Sequence, residues 1–196
     1  MVPVTVRRTQ DAAATALALA AGAGDRSALA EFIRVTHRDV WRFLAHLTDP
    51  DSADDLTQEC YLRAMDALPT FRGDAPVRPW LLTIARRCVA DAHRRAAVRP
   101  RVVVGDLDPD RCPRSLPDAS GAVEIRGMLA SLDADRREAL VLTQLVGFSY
   151  AEAARVVGVP VGTIRSRVAR ARAQLVAEWS DASQETLDVV GVLRAG

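Results

Sequence analysis

The chain reads as all-α, two small helical domains joined by a flexible linker. Three observations predict this. Apolar residues recur at helical spacing through most of the chain, and no stretch alternates with the period of a strand. Capping residues, glycines and prolines fall between those runs. Residues 99–120 break the pattern with Pro100, Pro109, Pro113 and Pro117, several aspartates and little periodicity, which is linker composition. The predicted division is residues 11–98 and 121–179 as domains, 99–120 as linker and 180–196 as a tail.

The elements follow in order. A first helix is expected over 11–21, stopped by Gly22-Ala-Gly24-Asp25. A second runs over 27–47 with Ser27 as its N-cap, and Phe32, Ile33, Val40, Trp41, Phe43, Leu44 and Leu47 supply its apolar content. Thr48-Asp-Pro-Asp51 is a turn. A third helix covers 52–68 and is closed by Pro69. A loop over 70–78 follows, and a fourth helix over 79–98 begins with Pro79 at its first position. Past the linker, helices are expected over 123–132 and 133–146, the latter capped by Asp133 with acids in its first turn. Two more follow, over 149–157 and 161–175, separated by Gly158-Val-Pro160.

Composition narrows the function. A chain of 196 residues holds one or two small domains. Its hydrophobic content of 49% suffices for packed cores, and 5% aromatic content makes those cores rich in Ala, Val and Leu. Net charge is only +1, so the chain has no global basic field. Nucleic-acid binding must then come from local segregation of charge. Cys60, Cys88 and Cys112 are far apart and form no CxxC or Cys/His cluster, so no zinc site or other metal is expected. The odd cysteine count and the absence of a signal peptide predict a reducing cytoplasm. The Ala/Leu run over 12–23 is too short to span a membrane.

Charge is segregated in three places. The last predicted helix puts Ile164, Val168, Ala171 and Leu175 on one stripe at about 100° per residue. Ser166, Ala169 and Arg170 point directly away from it. Arg165 and Arg172 flank one edge; Arg167 and Gln174 flank the other. No acid occurs over 153–177. Such a helix can lie in a major groove, reading base edges with its outer face and gripping phosphates with its flanks. Taken alone, the segment fits a solvated arginine face equally well. The fourth helix is also basic, with Arg86, Arg87, Arg94 and Arg95 interrupted only by Asp91, and can neutralise a DNA backbone. Trp80 at its start is read as core rather than as a stacking platform.

The third helix is acidic. Its core stripe is Ala53, Leu56, Cys60, Ala64 and Ala67. Asp54, Asp55, Gln58, Glu59 and Leu62 lie on the other side. Acids at a helix N-terminus are explained by the dipole, which accounts for Asp54 and Asp55 but not for an outward leucine. A leucine inside an acidic stripe has the composition of a partner surface, with an apolar centre and a charged rim.

Three blocks together carry a resemblance. They are Asp51-Ser-Ala-Asp-Asp-Leu-Thr-Gln-Glu-Cys-Tyr-Leu-Arg-Ala64, then Phe71-Arg-Gly-Asp74 with Arg78-Pro-Trp-Leu-Leu-Thr-Ile-Ala-Arg86, then Pro160-Val-Gly-Thr-Ile-Arg-Ser-Arg-Val-Ala-Arg-Ala-Arg172. In this order and spacing the chain, over about residues 12–178, resembles an extracytoplasmic-function sigma factor, the smallest class of the sigma-70 family, and is most similar to the actinobacterial sigma C type. The resemblance implies that the first domain is sigma region 2. Asp54, Asp55, Gln58, Glu59 and Leu62 would then dock on core RNA polymerase, at the clamp of its largest subunit. Arg72, Asp74, Arg78, Arg86, Arg87, Arg94 and Arg95 would engage the −10 element and capture an unpaired base, whose flipping costs a few kcal/mol. The second domain would be region 4, a helix-turn-helix presenting Thr163, Arg165, Ser166, Arg167, Arg170 and Arg172 to the −35 element. Further partners implied are the polymerase flap, promoter DNA and an anti-sigma factor. No cofactor and no enzymatic activity are implied, since the polymerase supplies the catalysis. The chain departs from the family pattern at Cys88, where asparagine is usual, and at Pro79, where threonine or serine is common. The tail has no family counterpart.

Two rival readings differ in class. One is a helix-turn-helix regulator acting without core polymerase; its usual α/β receiver domain is not visible here. The other is a nucleic-acid-modifying enzyme using Asp54, Asp55 and Glu59 as metal ligands, and no neighbouring His, Lys or nucleophile supports it.

Overall fold

The computed structural model describes the backbone of residues 4–98, 125 and 127–194, and the side chains of 10–49, 52–97, 125 and 127–180. The expected linker, residues 99–120, lies outside the described residues, as does most of the helix expected over 123–132. Among the described residues all regular structure is helical.

Four helices make the first half: α1 (Val4–Gly22), α2 (Arg26–Leu47), α3 (Pro50–Ala67) and α4 (Val77–Val98), with a 3₁₀ turn at Leu68–Thr70. Starts differ from expectation for local reasons. Asp25, not Ser27, caps α2; its carboxylate accepts the Ser27 and Ala28 amides at 2.8 and 3.0 Å. Asp49 caps α3 by accepting the Ser52 amide at 2.8 Å, which brings Pro50 into the first turn. α4 begins two residues before Pro79. That proline costs nothing there, because the first four amides of a helix have no intrahelical partner. The Val77 amide finds Thr15 Oγ1 of α1 at 3.1 Å instead. Gly22 lets α1 end against the 3₁₀ turn, since a Cβ there would lie 2.6 Å from the Leu68 carbonyl oxygen.

Helix α2 is the centre of this half, packing on α1, α3 and α4. Phe32, Val40, Phe43 and Leu44 of α2 are fully buried with Leu81 and Leu82 of α4, each worth about 1.5–3 kcal/mol of transfer free energy. Arg78, expected on the −10 surface, is instead buried in this structure, its side chain 10% exposed. It lies 3.2 Å from Asp11 of α1 and 2.5 Å from Asp39 of α2, and donates to the Val35 carbonyl at 3.3 Å.

The second half contains α5 (Ala134–Leu140), a π-helical segment (Val141–Leu145), α6 (Tyr150–Val157) and α7 (Val161–Arg194). Asp133 caps α5 as expected, accepting the Arg136 amide at 2.8 Å. The helix expected to run to 146 passes into π geometry, with the Val146 amide on the Val141 carbonyl at 2.9 Å. Thr143 Oγ1 donates to the Ala139 carbonyl at 2.8 Å, a contact known to bend helices. α6 carries a reciprocal capping box between Ser149 and Glu152 and ends on Gly158 at φ 78°, a left-handed stop that glycine adopts without strain. α7 does not stop at 175 or 179 but runs to Arg194, so the backbone of the expected tail is helical.

The two halves are packed together. α4 lies against α6, and α2 against the π segment and α5. Their buried residues form one continuous core. An ion pair crosses the seam: Arg86 Nε donates to Glu138 at 2.7 Å, with Glu138 nearly buried. Burial pushes the Glu138 carboxyl above the usual glutamate range, and Arg86 only partly opposes it.

Two outcomes are expected. Arg78→Met removes the guanidinium that Asp39 and Asp11 both meet and should cost about 3–5 kcal/mol, read from the urea midpoint at constant slope; a loss under about 1 kcal/mol would mean the cluster contributes little. For Glu138, a carboxyl with a raised folded pKa binds more protons folded than unfolded. Its contribution improves as pH falls through the raised value and is lost as pH rises. The unfolding free energy of the native chain relative to Glu138→Gln should therefore rise between pH 7 and pH 5, and a fall would reverse the assigned balance between burial and pairing.

Candidate functional site

Helix α3 places its buried edge, Ala53, Leu56, Cys60 and Ala64, against the core. Ala67 is only half-buried. Asp54, Asp55 and Gln58 face solvent, and Leu62 is 53% exposed. Leu62 lies at the rim of an open groove of about 400 Å³ between α2 and α3. Ile33, Thr57, Tyr61 and Met65 line it with Leu62, and His37, Asp54 and Gln58 stand at its polar side. Beneath it, the Thr36 and Tyr61 hydroxyls hydrogen-bond at 2.8 Å. The His37 ring stacks on Tyr61 with centroids 6.3 Å apart. Trp41 Nε1 donates to Asp54 at 2.7 Å and fixes that carboxylate. The Thr57 hydroxyl is buried without a hydrogen-bond partner.

Sequence reasoning missed the α2 wall of this groove. Ile33 and His37 are spaced by four and share one edge of a helix, a signal hidden because Ile33 is counted only toward the apolar content of that helix. Glu59 does not join the solvent stripe. It turns toward α4 and pairs with Arg63, and with Arg95 at 3.1 Å. The metal-ligand set Asp54, Asp55 and Glu59 does not converge, and among the described residues no cluster of three His, Cys, Asp or Glu is placed to hold a metal.

The residues expected at the −10 element divide into three kinds. Arg72, Asp74 and Arg87 are exposed. Arg94 and Arg95 are exposed but tethered, Arg94 to Asp91 and Arg95 to Glu59. Arg78 is buried in the Asp11–Asp39 cluster, and Arg86 is engaged across the seam by Glu138. Trp80 is half-buried and packs on Phe71 with centroids 4.9 Å apart, close to the core role expected.

Helix α7 follows its pattern in part: Leu175 of the expected stripe is only half-buried, and Ser166, expected to point directly away, is half-buried too. Ile164, Val168 and Ala171 are buried against α5 and α6. Arg165, Ala169 and Arg170 are exposed. Thr163 and Ser166 are half-buried, and Ser166 Oγ donates to the Thr163 carbonyl at 2.9 Å. The edges are tied to the scaffold. Arg167 pairs with Asp135 of α5, so it is not a free phosphate ligand in this arrangement. Gln174 donates to the Ser131 carbonyl at 3.0 Å and accepts from Arg136 at 3.0 Å. Arg172 donates to Gln144 of the π segment at 2.7 Å and stays exposed. The arrangement offers an outer face of Arg165, Ala169 and Arg170 with a fixed cation beside it.

Comparison with known proteins matches both halves of the chain to one family. Residues 32–99 match the family Sigma-70 region 2, and residues 122–175 match Sigma-70, region 4. The chain is 52% identical over 180 residues to the "Probable RNA polymerase sigma-C factor" of Mycobacterium bovis and to the "ECF RNA polymerase sigma factor SigC" of Mycobacterium tuberculosis, an alignment covering 89% of this chain and 96% of each relative. Among solved structures it is similar to CnrH in complex with the cytosolic domain of CnrY, with a TM-score of 0.68 and 27% identity over 86% of this chain and 98% of that one. It is also similar to the sigma factor RpoE of Bartonella quintana in complex with the anti-sigma factor NepR, with a TM-score of 0.61 and 28% identity over 74% of this chain and 92% of that one.

Proposed function

Given that this chain belongs to the extracytoplasmic-function sigma factors of the sigma-70 family, we propose how its surfaces divide the work of binding core RNA polymerase and directing promoter-specific initiation. The groove between α2 and α3 takes the polymerase clamp. The observation that carries this is Leu62, half-exposed on a groove edge beside Asp54, Asp55 and Gln58. A partner helix would bury Leu62, meet the acids with basic residues and offer the unpaired Thr57 hydroxyl a hydrogen bond, removing the cost of leaving it unmade. Glu59 serves by fixing Arg63 and Arg95 rather than by touching the partner.

The loop with Arg72 and Asp74, and the α4 face with Arg87, Arg94 and Arg95, engage the −10 element. Arg78 supports that loop from within. Arg86 joins the DNA surface only when Glu138 releases it, so engagement of the −10 element opens the seam between the halves. α7 enters the major groove of the −35 element. Arg165 and Arg170 lie on its exposed side, and Arg172 is held ready for a phosphate. Residues 11–98 and 121–179 act as the two working units. An anti-sigma factor competes for the same surfaces, as the complexes of CnrH and RpoE suggest. The chain works in the cytoplasm, where polymerase and promoters are, and contributes no catalysis of its own. Among its described residues no helix is long and apolar enough to cross a membrane.

Asp55→Arg with Leu62→Arg should abolish core binding while helical content is kept. Competition against a labelled sigma factor reads the affinity, and an unchanged value would remove the groove from the docking surface. On reconstituted holoenzyme, Arg170→Ala should cost about 1–3 kcal/mol and relax preference at one or two −35 positions. Arg172→Ala should weaken every −35 sequence alike and reduce the salt slope by about one unit. Exchanged phenotypes for the two variants would mean that α7 is rotated in its groove.

A further inference from the structure

Asp91 is the only acid over residues 75–98, and it belongs neither to the docking groove nor to the cations assigned to DNA. It precedes Arg94 and Arg95 by three and four residues on α4, the spacings at which side chains on a helix meet. Its carboxylate accepts from Arg63 Nη1 of α3 at 2.6 Å and from Arg94 Nη2 of its own helix. Arg63 is shared. Its other terminal nitrogen donates to Glu59, one turn back on α3. Glu59 accepts in turn from Arg95 Nη2 at 3.1 Å. Two rungs therefore cross the seam between α3 and α4, Arg63 to Asp91 and Arg95 to Glu59. They lie one turn apart on each helix and run in opposite directions of charge. With Arg94 they make one chain of alternating sign, in the order Arg94, Asp91, Arg63, Glu59, Arg95.

We propose that Asp91 is a positioning residue for promoter engagement: it holds Arg94, and through Arg63 and Glu59 also Arg95, where the phosphates of the −10 element meet them. The proposal rests on the assignment of α4 to that element. The continuous chain of ion pairs carries it. Fold stability is not what this chain supplies. Exposed pairs contribute little to folding, and Arg94 and Arg95 are 74% and 60% exposed. α3 and α4 already pack on each other, with Cys60, Ala64, Leu81, Ala85 and Cys88 buried.

What the chain supplies is order. A long side chain loses rotamer freedom when it grips a phosphate. A carboxylate that fixes the guanidinium beforehand removes part of that cost. Arg94 and Arg95 each give one nitrogen to a carboxylate, which leaves the remaining donors of each guanidinium for phosphate oxygens. Arg63 suits the bridging place, because its donors form a rigid planar fork that can serve two carboxylates at once. Its hydrogen bond holds the Asp91 carboxyl below the usual aspartate range, and Arg94 and Arg95 add to the effect against the opposing influence of burial. Asp91 is therefore ionised at neutral pH. The helix that carries Leu62 thus sets, from across the seam, the stance of the cations on α4.

The test uses holoenzyme reconstituted from core RNA polymerase and the full chain. Four chains are compared: wild type, Asp91→Asn, Arg94→Ala with Arg95→Ala, and all three changes together. The probe is a promoter fragment that the wild-type holoenzyme transcribes in run-off assays, titrated over a range of salt concentrations. Asp91→Asn should weaken promoter binding about three- to tenfold, the cost of ordering one or two long side chains. The salt slope should not change, because the same phosphates are met. The loss should persist at the highest salt, where through-space effects of the removed charge are screened. Melting temperature and core affinity should be those of the wild type. In the chain lacking both arginines Asp91→Asn should add nothing, since a positioning residue acts only through the groups it positions. Asp91→Ser is the substitute if the asparagine chain folds poorly. Tighter or unchanged binding by Asp91→Asn, a changed salt slope, an equal loss in the chain lacking both arginines, or a loss that tracks melting temperature or core affinity would each overturn the proposal. If Arg94→Ala with Arg95→Ala binds the promoter as the wild type does, the assignment of α4 to the −10 element fails and the proposal falls with it.

Discussion

The first half of the molecule is organised around one buried guanidinium. Arg78 is held between Asp11 of α1 and Asp39 of α2, with the Val35 carbonyl completing its shell. Two helices that approach from different directions are thereby fixed to the start of α4. A buried ion-pair cluster of this kind is tolerable only while its geometry is kept. The Val77 amide on Thr15 adds a neutral tie at the same corner. The loop over residues 70–76 leads directly into this corner, so the placement of Arg72 and Asp74 is inherited from it. The groove between α2 and α3 depends on the same frame, because α2 forms one of its walls.

Much of this was legible in the sequence, and the failures have identifiable causes. Helix periodicity and single-residue caps placed the starts of six of the seven helices named above within two residues, whereas α1 begins seven residues early and α7 runs on to Arg194. The outward placement of Leu62 and the facing of α7 followed from the same spacing. The arginines were harder. Arg78, Arg86 and Arg167 look alike in sequence to Arg87 and Arg170, yet each meets a carboxylate distant in the chain: Asp39, Glu138 and Asp135. Segregation of charge predicts where cations cluster, but long-range pairing decides which remain free. The π segment was invisible for a related reason. Thr143 donates to the Ala139 carbonyl there, yet Thr15, Thr36 and Thr83 make the same contact in helices that stay regular, so the residue type alone gives no warning.

The same division recurs across the recognition helix. Arg167, Arg172 and Gln174 lie on edges of α7 and bond to residues of the scaffold beneath. Those contacts hold the helix at a fixed rotation about its axis, while the residues pointing outward carry no such ties. A small domain with few large aromatic side chains gains its rigidity here from polar edge contacts. They add to the packing of Ile164, Val168 and Ala171 beneath the helix. Precision of a few tenths of an ångström matters for bidentate contacts to bases.

The seam between the halves has a thermodynamic meaning. If the binding-competent chain is the open one, apparent affinity for polymerase and promoter equals intrinsic affinity multiplied by the open fraction. Every ~1.4 kcal/mol that holds α4 against α6 then lowers apparent affinity about tenfold. On that premise the packing would set a threshold concentration for the free chain. Sequence changes far from any DNA or polymerase contact can tune that threshold, simply by strengthening or loosening the fit between two helices.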